Sequence, residues 1–172
     1  EIEAYNSPAS EEFQLRFENF KQKILLANPL IEEHSMIYIR REAVDFENQK
    51  VGLADRFRTY GFASNHECKS SMNRSGWNNE IGMMDPEGNV RSLYRPEEQG
   101  FVGEIDLHWD ADRLLFTESN PANWKVKELN LNSLVSRDVT HTPDEVHTFD
   151  ACYLPNGKVV FNSTAMFQSI PC

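Results

Sequence analysis

The sequence predicts an all-β chain, a partial β-propeller of about two and a half four-stranded blades, preceded by an α-helix. Two observations point there. Nine short stretches of strand-forming residues lie between turn signals. These stretches also recur at a fixed spacing. Displaced by 45 positions, Leu114-Leu115-Phe116 falls on Val159-Val160-Phe161, and Arg113 falls on Lys158. The same displacement lays NEIGMMDPEGNVRSLYR on WKVKELNLNSLVSRDVT, with Ile81 on Val126 and Val90 on Val135. A ~45-residue period of four strands is the spacing of a propeller blade, whereas a plain sandwich needs no matched spacing.

The first element, within a segment spanning residues 1–28, is helical. Ser7 is an N-cap type, Pro8 suits the first helical position, and Glu11 and Glu12 suit the positive end of the helix dipole. Phe13, Phe17, Phe20 and Ile24 share one face, and Asn28-Pro29 ends the helix. That apolar stripe predicts a helix docked on the body of the protein. Residues 29–172 form the incomplete propeller. Its strands start at MIYIRR (36–41), after which a long insertion runs over 42–78. NEIGMMD (79–85) and NVRSLYR (89–95) flank the turn Pro86-Glu87-Gly88. FVGEIDLHW (101–109), RLLFTES (113–119), WKVKELNL (124–131) and LVSRDVT (134–140) follow. The last two strands, 148–154 and 158–163, flank Pro155-Asn156-Gly157.

Counted as blades, the first three strands make most of one blade, the next four a complete one, and the last two the inner half of a third. Blades bury their faces on neighbours, and fewer than about three repeats seldom stand alone. The expected partner is therefore the remainder of the propeller, or an oligomeric partner, and the 172-residue piece is expected to be truncated and unstable or oligomeric by itself.

Composition narrows the function. Hydrophobic residues at 40% and charged residues at 26% suit a globular protein with a real core. A net charge of -10 argues against nucleic acid, whose binding draws on Lys and Arg. No apolar run approaches the ~20 residues of a membrane span. Three cysteines, Cys68, Cys152 and Cys172, are too few for a disulfide scaffold and lack paired zinc-finger spacing. Cys152, within a strand, is expected to be a small buried residue.

The stretches NPLIEEHSMIYIRR, GWNNEIGMMDPEGNVRSLYRP, FVGEIDLHWDADRLLFTES and FDACYLPNGKVVFNSTAMFQSIPC resemble the propeller region of the hydrazine synthase alpha-subunit-like family. The resemblance covers about residues 28–172 and is carried above all by DACYLPNGKVVF and FQSIPC. It implies a multi-bladed propeller within a large, secreted or periplasmic bacterial protein. In the hydrazine-forming member, c-type haems carry the redox chemistry. This sequence holds no C-x-x-C-H, so no c-type haem attaches to it.

In a propeller the connections before each inner strand and between its second and third strands share one face. Here that face gathers 42–78, 96–101, 118–124, 140–148 and 164–172. The insertion's Arg74 and an exposed Trp77, with Glu118, suit a glycan or small polar ligand through stacking and hydrogen bonds, unless Trp77 merely starts the next strand. Asp106 and His108 alternate with Leu107 and Trp109, which places both on one strand face. They either line a central channel or, for Asp106 together with Asp150, cap backbone N–H groups in two repeats. Cys172, His66, Cys68 and His147 are Zn²⁺ ligand types on the same face, with a disulfide or free thiols as the alternative for Cys68 and Cys172. His141 lies there too. Three functions remain open: a scaffold binding a polar small molecule or glycan, a metal- or haem-dependent redox enzyme whose cofactor motif lies elsewhere, and a protein-interaction platform.

Overall fold

The structure, a computed structural model, describes residues 8–29, 33–41 and 74–165. It is mostly β, with several antiparallel sheets and an N-terminal helix. Helix α1 spans Pro8–Leu26. The strands are β1 (Met36–Arg40), β2 (Glu80–Met84), β3 (Val90–Tyr94), β4 (Val102–Leu107), β5 (Arg113–Ser119), β6 (Trp124–Asn130), β7 (Ser136–Asp138), β8 (Thr148–Tyr153) and β9 (Val159–Ser163). A 3-10 turn, Glu97–Gln99, precedes β4. Among the described residues the strands form three sheets, ordered β1-β2-β3, β4-β5-β6-β7 and β8-β9. That three, four and two grouping is the one the 45-residue spacing predicts.

The second and third sheets repeat in detail. In β4 the register with β5 shifts between Gly103 and Asp106, and in β8 the register with β9 shifts between Phe149 and Cys152. Both bulges contain a non-glycine residue in the left-handed region, Glu104 (φ 50°) and Asp150 (φ 58°). Each carboxylate is used alike. Thr117 Oγ1 donates to Glu104 at 2.7 Å, and Asn162 Nδ2 donates to Asp150 at 3.1 Å. A bulge re-aims the strand, so the same bulge at the same place gives both inner strands the same bend. The following turns match as well. Ala111 N donates to His108 O, and Gly157 N donates to Leu154 O. The β4–β5 turn carries one residue more, so the offset between repeats is 46 before it and 45 after it. A second slip of one residue falls between β6 and β7: Asp85 N donates to Asn89 O, whereas Asn130 N donates to Val135 O. Val90 thus aligns with Ser136 and not, as the fixed spacing has it, with Val135.

The chain divides into two compact units. One comprises Glu1–Tyr38 and Met83–Arg91. Within it α1 meets the turn after β2: a Cβ on Gly88 would lie 2.7 Å from Gln22 Nε2 and from Leu26 Cδ1. At 100° per residue, Gln22 and Leu26 lie on the side of the helix away from the phenylalanine stripe. Phe13, Phe17, Phe20 and Ile24 are 54–69% exposed, and the stripe is not the face that meets this turn.

The other unit comprises Ile39–Gly82 and Ser92–Cys172 and holds the core. Leu115 and Val126 of the second sheet pack on Ala151, with Val139, Tyr153 and Val159 around them. The second and third sheets therefore stack face to face. Asp150 N donates to Thr117 Oγ1 at 3.0 Å and Tyr153 N to Asp106 Oδ2 at 2.8 Å, pinning the stack with polar ties. Cys152 is exposed, contrary to expectation, because it points to the other side of β8 from Ala151.

Candidate functional site

At the end of the second sheet where β5 leaves and β6 enters, the connecting segments gather. Phe101 N donates to Ser119 Oγ at 2.7 Å, and that hydroxyl donates to Arg74 O at 2.5 Å. Trp77 N donates to Gln99 O at 3.0 Å. Asn123, fully buried, donates through Nδ2 to Asp144 O at 3.2 Å. His147 Nδ1 accepts from Trp124 N at 3.3 Å, and His147 N donates to Thr164 Oγ1 at 2.9 Å. Residues from the insertion, from 96–101, 118–124, 140–148 and from 164 thus form one continuous network.

Arg74 and Glu118 line a common cavity of about 290 Å³ at this end, with Glu97, Glu98, Asn120, Lys125, Lys127 and Asp138. Glu118 is 8% exposed, so its charge requires partners. Lys127 Nζ donates to it at 2.7 Å, and the Tyr94 hydroxyl donates to its other oxygen. Burial, then the bond to Glu118, pushes the Tyr94 phenol well above its ordinary range, keeping it a neutral donor. The Tyr94 ring stacks at a tilt on Phe116, centroids 4.8 Å apart. The cavity therefore has one fixed, internally neutralised wall and further charges of both signs.

Trp77 departs from its expected exposure. It is 4% exposed and forms an aromatic run with Phe101 and Trp124, at centroid distances of 5.5 and 5.2 Å. The ring belongs to the core beside the cavity, so it offers no open stacking platform. Burying an aromatic ring is worth more than leaving it in water, and the start of β4 provides the place.

Asp106 and His108 sit toward the opposite end of β4 from the cavity. Asp106 serves the backbone of Tyr153, as the capping reading has it, but its repeat-equivalent is Cys152; Asp150 matches Glu104. His108 lies in the β4–β5 turn with its ring edge-on to Tyr153 at 4.8 Å. His108, Asp110 and Asp112 bring three ligand-type atoms within 4.8 Å of one another. Arg113 already supplies the cation there: Nη1 donates to both Asp112 oxygens at 2.7 and 2.9 Å, and Nη2 lies 2.6 Å from His108 Nε2. The cluster is an arginine-centred turn.

His66, Cys68 and Cys172 lie outside the described residues. His147 is described, and its imidazole is held neutral: burial first, then the charge of Arg74, lowers its pKa from the ordinary value. Through Nδ1, which accepts from the Trp124 amide, His147 ties the second sheet to the third. His141 is exposed. Sequence reading missed Tyr94, Lys125 and Lys127. The available signal was the period itself, since odd-numbered residues of β6 face the same side as Glu118 or its cross-strand neighbours.

No family model matches the chain, and no curated protein matches it. Among solved structures, TolB from Acinetobacter baumannii is similar over 51% of this chain and 21% of its own, at 22% identity and a TM-score of 0.42. The similarity spans about a fifth of TolB. None of these findings bears on hydrazine synthase. Among the described residues no helix is long and apolar enough to cross a membrane.

Proposed function

We propose that the three sheets are successive blades of a β-propeller and that the chain is a scaffold holding a polar ligand site at the Ser119 end. The repeated bulge, turn and carboxylate pair of β4–β5 and β8–β9 support the blade reading. The observation that carries the site is the cavity shared by Arg74 and Glu118, lined by charges of both signs. Its size, about 290 Å³, is at the lower edge of small-molecule pockets, and its polar lining favours a saccharide or another polar small molecule over an apolar one. Glu118, held by Tyr94 and Lys127, orients the wall; Arg74 and Lys125 are the groups left to meet a ligand. As part of the same reading, the protein works outside the cytoplasm.

The test is calorimetric titration of the full chain with a panel of neutral, anionic and zwitterionic sugars and polar metabolites. Saturable binding that weakens about tenfold or more in Arg74→Ala and Lys125→Ala, with melting temperatures unchanged, is the expected result. Binding untouched by both substitutions, or none across the panel, contradicts it.

A further inference from the structure

The outer edge of β9 differs from its repeat-equivalent in the second sheet. Lys158 O accepts from Leu154 N, and Thr164 N donates to His147 O, so the even-numbered residues of β9 spend their backbone groups on β8. Val159, Phe161 and Ser163 turn theirs outward, where the two-stranded sheet places no neighbour among the described residues. In the second sheet the corresponding edge of β5 is paired with β6 at every position from Arg113↔Asn130 to Ser119↔Trp124. Side chains record the same difference. Leu115 and Phe116 are 0% and 1% exposed, whereas their equivalents Val160 and Phe161 are 48% and 38% exposed.

Phe161 shares a strand face with Val159, which packs against the second sheet, so a strand beside β9 would extend an interface already formed. The strand VVFNS also carries no charge, although charged side chains are what ordinarily guard a free edge.

We propose that the outer edge of β9 is a docking edge for an antiparallel strand with the chemistry of β6. Such a strand starts on an aromatic residue and interleaves apolar with charged side chains, as Trp124, Lys125, Val126 and Lys127 do. By the register of the second sheet, its residues stand opposite Val159 to Ser163 as Leu129 to Lys125 stand opposite Leu114 to Glu118. The inference rests on the repeat and is independent of the ligand cavity.

A fluorescein-labelled peptide with the sequence of residues 123–139, covering β6 and β7, is the probe. Fluorescence anisotropy with the full chain is expected to show saturable binding, absent for a scrambled peptide. Phe161→Pro blocks the outward amide without touching a bond to β8 and is expected to weaken binding at least tenfold. Phe161→Lys, which charges the edge, is expected to do the same if the proline variant does not fold. No saturable binding, or equal binding by folded variants, overturns the proposal. So does a concentration-dependent dimer that Phe161→Lys abolishes and the peptide does not compete for, an outcome that assigns the edge to a second copy of this chain.

Discussion

At the residue scale, polar side chains tie the second sheet to the third beside the apolar core. Asp106 accepts the Tyr153 amide from the neighbouring sheet. Asp106→Ala leaves that amide without its partner and is expected to cost about 1–3 kcal/mol, while Asp106→Asn, which keeps an acceptor, costs much less. Urea denaturation of the two variants measures the difference. His147 supplies a pH-dependent tie. Its folded pKa lies below its unfolded value, so the unfolded chain binds the proton more readily. The stabilisation is present above the ordinary histidine pKa, near 6.5, and is lost as pH falls from there through the lowered folded value. His147→Asn retains an acceptor that does not titrate. Thermal melts at pH 7.5 and 5.5 are expected to show a smaller decline for His147→Asn than for the parent chain; equal declines would contradict the assignment. Residue-level roles were only half legible in the sequence. Alternation marked Asp106 as a candidate, but it could not show that the longer β4–β5 turn shifts the repeat by one residue and makes Glu104, not Asp106, the match of Asp150. For Trp77 the sequence leaves open an exposed stacking residue and the start of the next strand, and its packing on Phe101 makes it a core residue.

At the element scale, the matched turns offer the cleanest comparison. Ala111 and Gly157 occupy equivalent positions, both with positive φ, 52° and 77°. A Cβ on Gly157 meets nothing within 4 Å, so backbone conformation alone decides the effect there. Gly157→Ala is expected to destabilise by about 1 kcal/mol, and Ala111→Gly to stabilise by up to about that amount. Opposite signs in chemical denaturation are the expected result; the same sign for both would refute the equivalence of the two turns. Strand positions were legible because turn chemistry and period agree, and each observed strand falls within its predicted stretch. The helix was legible in extent, and within its own unit it turns Gln22 and Leu26 toward the turn at Gly88. Amphipathicity reports which face is apolar, and the contact actually formed depends on the neighbour available.

At the scale of the whole molecule, the stacked second and third sheets share one architecture, and their difference is concentrated at the edge of β9. Phe101 sits at the centre of the aromatic run between Trp77 and Trp124. Phe101→Ala is expected to cost about 3–5 kcal/mol and to abolish ligand binding together with the fold, in contrast to Arg74→Ala. The grouping of strands into sheets was legible because self-similarity at a fixed spacing is a property of sequence. Of the cavity, the face with Arg74 and Glu118 was legible from the order of the strands, whereas Lys125, Lys127 and Asp138 were not, since they come from strands and not from the connecting segments.

A crystal structure of the chain with a β6-type peptide measures the central claim most directly, because it gives the rotation relating the second sheet to the third and the first to the second. One repeated rotation about a common axis, with the peptide alongside β9, is what a recurring four-stranded unit requires. Sheets closed against each other as a two-layered sandwich, with no shared axis, would contradict it.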